Sequence, residues 1–176
     1  KLPIPSPPIP QTPADQTRLA LVRAALKLFG SQGFDGTSTR EIAAAAKANI
    51  GSIAYHFGGK DGLKLAAADY IVETMQKIAS QAMAGLDAPK PLPLDPETAR
   101  AQLMLGLERM IAFIVASPEA GEVVQFVLRE LSQPTAALDR IYSGVFEPVH
   151  KRLCMLWETV TGEPAESDRT KLTIFT

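Results

Sequence analysis

Residues 49–60 read NIGSIAYHFGGK. Small residues come first, in Asn49, Gly51, Ser52 and Ala54. Three rings follow, Tyr55, His56 and Phe57, and then two glycines and Lys60. A helix made only to fill a core does not start so thin and end so bulky. Asn49 is a good N-cap, because its short side chain accepts a hydrogen bond from an unpaired N–H of the first turn. The glycine pair stops the helix after Phe57. The stretch therefore predicts a short helix with a slender front, an aromatic rear and a cation just beyond it.

Working outward, residues 37–46 read TSTREIAAAA. Ser38 followed three residues later by Glu41 is a capping box, and the alanine run favours helix. Upstream, a helix begins near Asp15, with Val22, Ala25, Leu26 and Phe29 on one buried face. Gly33 sits where a C-terminal cap belongs, and Phe34 folds back after it. Downstream, a long amphipathic helix starts at Lys60, with Leu63, Ala67, Tyr70, Thr74 and Ile78 along one side.

Two short helices separated by three or four residues and stacked on a longer first helix form a helix-turn-helix. The second short helix of such a motif enters the DNA major groove, with its N-terminal residues at the base edges. That accounts for the thin front. Gly51 and Ser52 let the backbone approach, and Asn49, Ile50 and Ser52 face the groove. Phe57 is expected to anchor the helix inward while Tyr55 and His56 present polar tips to a wet surface. Lys60 lies in a first helical turn, where the helix dipole disfavours a cation and a bound phosphate would reverse that penalty. Thr37, Thr39 and Arg40, at the start of the preceding short helix, are placed to hold phosphates on the other side.

The charge distribution agrees. The net charge is only −1. Residues 1–64 hold 8 Lys/Arg against 4 Asp/Glu, and residues 65–176 hold 10 against 15, so a balance of +4 is followed by one of −5. Such an asymmetry marks a basic interaction end or a chance clustering of solvated charges.

The rest of the chain is helical in pattern, with no alternating strand signal, so the fold class is all-α. KLPIPSPPIPQTP at residues 1–13 is proline-rich without a helical period and reads as a passive arm. LDAPKPLPLDPE at residues 86–97 is the clearest internal boundary. Beyond it, Leu103, Leu107, Met110 and Ile114 mark a helix closed by residues 117–119, and EVVQFVLREL at 122–131 marks another, stopped by Pro134. Tyr142, Phe146, Val149, Leu153, Leu156 and Val160 form a narrow seam that packs helix on helix, either within one subunit or across a two-fold contact. Pro148 removes a backbone donor, so a kink is expected there. The chain closes inside an amphipathic segment, and a further helix is expected after it. The segments are thus an arm at 1–14, a DNA-binding domain at 15–62 and a helical effector-binding and dimerisation domain at 63–176.

Several classes of function find no support. No run approaches the roughly 18 apolar residues of a membrane span, no signal-peptide pattern opens the chain, and one cysteine, Cys154, excludes an intrachain disulfide. A cytoplasmic protein is the expectation. His56, His150 and Cys154 read as far apart without ligand spacing, so no metal is expected, and neither is any cofactor. His56 lacks the nucleophile or orienting carboxylate of a catalytic base. Cys154, among Leu153, Leu156 and Trp157, reads as a buried inert thiol or as a redox sensor. Arg129 and Glu130 form a structural ion pair or touch a ligand. Met104, Leu107, Met110, Phe113, Phe126, Arg129 and Trp157 are candidates for an effector pocket, since Met and aromatic side chains shape adaptable cavities, and ordinary core packing explains the apolar ones equally.

FDGTSTREIAAAAKANIGSIAYHFGGKDGL at residues 34–63 closely resembles the N-terminal domain of TetR/AcrR-family transcriptional regulators. Phe29, Gly33, Thr37, Arg40, Ile42, Ala43, Gly51, Tyr55, His56, Phe57, Lys60 and Leu63 all fall in register with it. NIGSIAYHFGGK, with VLREL and FEPVHKRL downstream, looks like the CecR-like subgroup. There are departures. Lys47 stands where the family usually has Gly in the turn, and it either accepts a strained conformation or places a charge near DNA. Asn49 replaces a small hydroxyl residue, and Ile50 a polar or basic one. The resemblance implies a ligand-responsive regulator, most often a repressor. Such a protein binds a palindromic operator as a homodimer and is released by a small, largely apolar effector. It also implies two final helices paired in a four-helix dimer interface. An all-α interaction module and a small helical enzyme are the alternatives, the latter without an acid–base pair or cofactor loop.

Overall fold

The computed structural model describes residues 12–82 and 94–175. Most of the proline-rich arm and of the linker at 86–97 lies outside them. Every regular element among the described residues is helical. No single helix among them is long and apolar enough to cross a membrane. They form two compact units, one of residues 12–73 with Pro118–Ile141, the other of residues 74–82, 94–117 and 142–175.

The first unit opens with α1 (Pro13–Gln32). It begins two residues before the expected Asp15. Thr12 accepts from the Asp15 amide while the Asp15 carboxylate takes the Thr12 N–H, and Pro13 occupies the first turn, where no donor is needed. The expected apolar face is buried, with Leu21 added to Val22, Ala25, Leu26 and Phe29. Gly33 ends the helix, its N–H donating to the Phe29 carbonyl at 3.0 Å, and the Phe34 ring returns to within 5.4 Å of Phe29. Next come α2 (Thr39–Ala45), α3 (Gly51–Phe57) and α4 (Lys60–Ala82), whose first part, to Glu73, belongs to this unit. Two later helices complete it, α6 (Ala120–Ser132) and α7 (Ala136–Ile141). Ile42, Ile53, Leu63, Ile71 and Phe126 are all at most 2% exposed, and each such side chain contributes about 1.5–3 kcal/mol by burial.

The second unit holds α5 (Pro96–Ala116), α8 (Glu147–Thr161) and α9 (Asp168–Phe175). Asp95 caps α5 by accepting from the Thr98 amide. α5 packs on α8, with Ala99 and Leu156 at the centre and Leu103, Leu105, Val149, Leu153 and Val160 around them. The α8 part of the seam thus packs within one chain. Its upper part does not, since Tyr142 and Phe146 are exposed. The cause lies at Pro148, where the interruption takes the form of a π-helical turn over Tyr142–Phe146. Pro148 has no N–H to give the Gly144 carbonyl, and the Gln76 side chain donates to it instead at 2.9 Å. A wide turn changes the phase of the residues before it.

The expected buried face of α5 is also corrected. Leu107, Met110 and Ile114 are exposed, and only Leu103 of that row is partly covered. The fully covered positions of α5 are Ala99 and Phe113.

Candidate nucleic-acid interface

The interface is built from the residues around α2 and α3. Ser38 and Glu41 form the expected box: the Glu41 amide donates to the Ser38 hydroxyl at 3.2 Å, and the Ser38 amide donates to the Glu41 carboxylate at 2.7 Å. The backbone and hydroxyl hydrogen bonds of Ser38 hold the Glu41 carboxyl below the ordinary range, with a smaller push from Lys60. Box and helix start leave Arg40 exposed and Thr39 half-buried beside it.

The turn after α2 has the geometry of a Schellman cap. The Ala48 amide donates to the Ala43 carbonyl at 2.9 Å and the Lys47 amide to the Ala44 carbonyl at 3.1 Å. Lys47 has a φ of 52°, the left-handed conformation for which glycine is preferred. The strained turn is therefore present. The spacer Ala46–Ile50 is five residues, one more than expected, because α3 begins later than Asn49. Ile50, in helical conformation, occupies the cap position without a side-chain bond, and Asn49 acts one step back, its Oδ1 accepting from the Gly51 amide at 2.8 Å.

α3 turns Ile53 inward at 2% exposure, so Ile53 is its main anchor. Phe57 is only half-buried and is covered by the Arg18 guanidinium 5.5 Å from its ring centre, a residue the sequence reading did not single out. Asn49, Ile50 and Gly51 are exposed, Ser52 and His56 half so, and Tyr55 is 84% exposed with its ring edge against His56. A β-carbon on Gly62 would lie 1.9 Å from the Phe57 carbonyl oxygen, so the turn from α3 into α4 closes only with glycine there.

Two of the expected phosphate contacts change character. Thr37 is 1% exposed, and its hydroxyl lies 2.7 Å from the Gly33 carbonyl and 3.2 Å from that of Leu28. A hydroxyl has one proton, and here it is spent inside the core, so Thr37 is a peg between α1 and α2 and not a phosphate ligand. Lys60 sits at the start of α4 as expected, but its ammonium lies 4.2 Å from the centre of the Phe34 ring. That cation–π contact offsets part of the dipole penalty without any phosphate.

The effector candidates are divided between the two units. Phe126 belongs to the core of the first unit, while Met104, Leu107 and Met110 are exposed and Phe113 is buried in the second. Trp157 is half-buried and donates to Glu163 at 3.1 Å. Arg129 is spoken for: its Nε donates to the Gly30 carbonyl and its terminal nitrogen to that of Ser31, both at 2.8 Å. Glu130 pairs with Lys64, not Arg129. The reading of the histidines and the cysteine as far apart is corrected in one place. His150 and Cys154 lie one turn apart on α8, Sγ 3.8 Å from Nε2, yet no third metal-binding side chain joins them among the described residues. Burial pushes the Cys154 thiol up, which suits the inert reading.

A three-helix scaffold that leaves a thin helix front open, with cations at two neighbouring helix starts, defines a helix-turn-helix DNA-binding protein. Residues 21–67 match the bacterial regulatory proteins of the tetR family, and residues 99–176 match the C-terminal domain of the HTH-type transcriptional dual regulator CecR. CecR of Shigella flexneri is 34% identical over 159 residues, covering 88% of this chain and 69% of that protein. The HTH-type transcriptional repressor NicS of Pseudomonas putida is 30% identical over 146 residues, covering 77% of this chain and 62% of its own length. In fold, a TetR-like transcriptional regulator from Rhodococcus sp. RHA1 superposes with a TM-score of 0.67 over 90% of this chain and 76% of that one, at 20% identity. The chain belongs to the TetR family of bacterial transcriptional regulators. The matched relatives are regulators, not enzymes.

Proposed function

We propose that the protein is a repressor that grips a palindromic operator as a homodimer and is released by a small, largely apolar effector. The observation that carries the DNA part is the open front of α3. Asn49, Ile50, Gly51 and Ser52 stand clear of the core while Ile53 holds the helix from behind. In this reading Asn49, Ile50 and Ser52 read bases and Gly51 allows close approach. Tyr55 and His56 meet the sugar–phosphate edge, and Thr39, Arg40, Lys47 and Lys60 bind phosphates. DNA contact is confined to the segment 15–62, and assembly and effector binding to 63–176.

A single seven-residue recognition helix touches few base pairs. Two copies on one face of the duplex, about 34–36 Å apart or a multiple of that, supply the specificity one cannot. The exposed apolar row Met104, Leu107, Met110, Ile111 and Ile114 on α5 supports the assembly and effector part, because a monomer in water leaves it uncovered. The name of NicS, a repressor, supports the direction of regulation. The test is selection from a randomised pool of duplexes, followed by mass in solution and affinity with and without apolar ligands. Recovery of a palindrome bound by two copies is expected. Binding of a half-site as tightly as a full site would remove the dimer, and a bound ligand that leaves DNA affinity untouched would remove the release step.

A further inference from the structure

α6 joins two helices of the DNA-binding scaffold at both of its ends. At its start, the Glu119 carboxylate is 2.8 Å from the Arg23 guanidinium of α1 and accepts from the Tyr70 hydroxyl of α4 at 2.7 Å. At its finish, Arg129 donates to the last-turn carbonyls Gly30 and Ser31 of α1. The next residue, Glu130, is 3% exposed and lies 2.7 Å from the Lys64 ammonium of α4, its other oxygen accepting from Thr135. Between these ends the backbones touch. A β-carbon on Gly30 would lie 3.1 Å from the Phe126 amide nitrogen.

We propose that α6 is a crossbar that sets the separation of α1 and α4, and that Glu119, Arg129 and Glu130 are positioning residues for DNA recognition. Both helices frame α3. It is tied to α1 through its packing and the Arg18–Phe57 contact, and to α4 through the tight Gly58–Gly62 turn. A shift of α1 against α4 therefore re-aims Asn49, Ile50 and Ser52, although the three crossbar residues lie outside the proposed DNA-contacting segment 15–62. Arg129 is suited to the task because a guanidinium spans two carbonyls in a fixed fork, which an ammonium cannot do. The Lys64–Glu130 pair, nearly dry, is costly to break one-sidedly, so it holds its helices at one distance. The inference rests on the reading of α3 as the DNA-contacting helix.

The experiment uses two duplexes, the tightest one selected by the wild-type protein and a random sequence of equal length. Arg129→Lys keeps the charge and loses the fork. It is expected to bind the selected duplex about tenfold more weakly, in line with loss of a charge-assisted pair. The random duplex and the salt slope are expected to stay unchanged, and the variant to melt cooperatively. Glu119→Gln, at the half-exposed end, is the second variant should Arg129→Lys not fold. Wild-type discrimination between the duplexes in either folded variant overturns the proposal, as does an equal loss on both, which would mean a general weakening and not a re-aimed α3. Arg40→Ala, run alongside, separates the two readings. If it too changes nothing, the DNA interface itself is misplaced and the crossbar falls with it.

Discussion

The two units spend their apolar residues differently. In the first, large side chains from four helices, such as Leu26 of α1, Ile42 of α2, Leu63 of α4 and Phe126 of α6, are all essentially out of water. Polar ties from α6 then fix what the packing leaves free. In the second, the centre of the α5–α8 contact is an alanine and a leucine, and apart from the buried Phe113 the larger residues Met104, Leu107, Met110, Ile111 and Ile114 of α5 stand half out of it. The contrast shows where the sequence spends its specificity. If α3 reads DNA as proposed, its aim must be fixed to a fraction of an ångström, and the over-determined scaffold around it suits that demand. Under the proposed function, the α5 surface that would meet a ligand or a second copy keeps its apolar groups uncovered until then.

The sharpest test of this difference is a matched pair of truncations. Ile53→Ala removes a side chain with 2% exposure and is expected to cost about 2–5 kcal/mol of stability, together with DNA binding. Leu107→Ala removes one that is 56% exposed and is expected to change monomer stability by less than about 0.5 kcal/mol. Chemical denaturation of both variants measures the gap. Equal losses would mean that the α5 row is already covered in solution, and the comparison would break.

A second test separates contact from support. Arg40→Ala and Lys60→Ala are each expected to flatten the dependence of log affinity on log salt by about one unit, the signature of one lost phosphate contact. Lys60 is the more exposed to failure, since its ammonium has Phe34 for a partner. An unchanged slope for Lys60→Ala alone would leave it as a prop for Phe34, and Arg40 as the contact.

What the sequence made legible is what local chemistry decides. Ser38 and Glu41 cap α2 because four consecutive residues suffice to close the box. Gly33 ends α1 for an equally local reason. The reading failed where the answer depended on a distant helix. Nothing near Thr37 says that its hydroxyl reaches back to Leu28 and Gly33, and nothing near Arg129 says that the end of α1 lies beneath it. On α5 the buried positions are Ala99, too small to weigh in a hydrophobic pattern, and Phe113, which lies off the expected row, so the pattern points to the larger residues that water covers. The seam before α8 was lost to the π-helical turn, because a wide turn changes the period on which the seam was counted. The local geometry of α2 and α3 could be read and its support could not, since support is made of contacts between residues as far as 99 positions apart.

Lys47 offers a smaller effect that bears on both strain and charge. Among the described residues it alone has a positive φ without being glycine. Lys47→Gly is expected to stabilise the protein by about 1 kcal/mol, the left-handed penalty less part of glycine's entropic cost. A salt slope for DNA binding that also falls by about one unit would place the charge at the phosphates. A stability gain with the slope intact would leave Lys47 as strain only.

The smallest effect is at Glu41, and its sign follows from the capping box. The folded carboxyl is held below its unfolded value, first by the Ser38 backbone N–H and then by the Ser38 hydroxyl, both of which favour the ionised form. A depressed carboxyl contributes stability that is fully present above the unfolded pKa, and this stability drains away as pH falls through the folded one. At neutral pH the box is closed. Below the ordinary carboxylate range Glu41 takes up a proton and gives up its role as acceptor, and the first turn of α2, which carries Arg40, frays. The protection of the Ser38 amide, its exchange rate relative to the intrinsic rate at each pH, is expected to fall down the acid limb in the wild-type protein. In Glu41→Gln protection should be lower already at neutral pH, with little further change on acidification. The effect is local because the site is exposed, so global unfolding should hardly register it. A Ser38 amide that stays equally protected across the whole range would show that the box does not hold the start of α2.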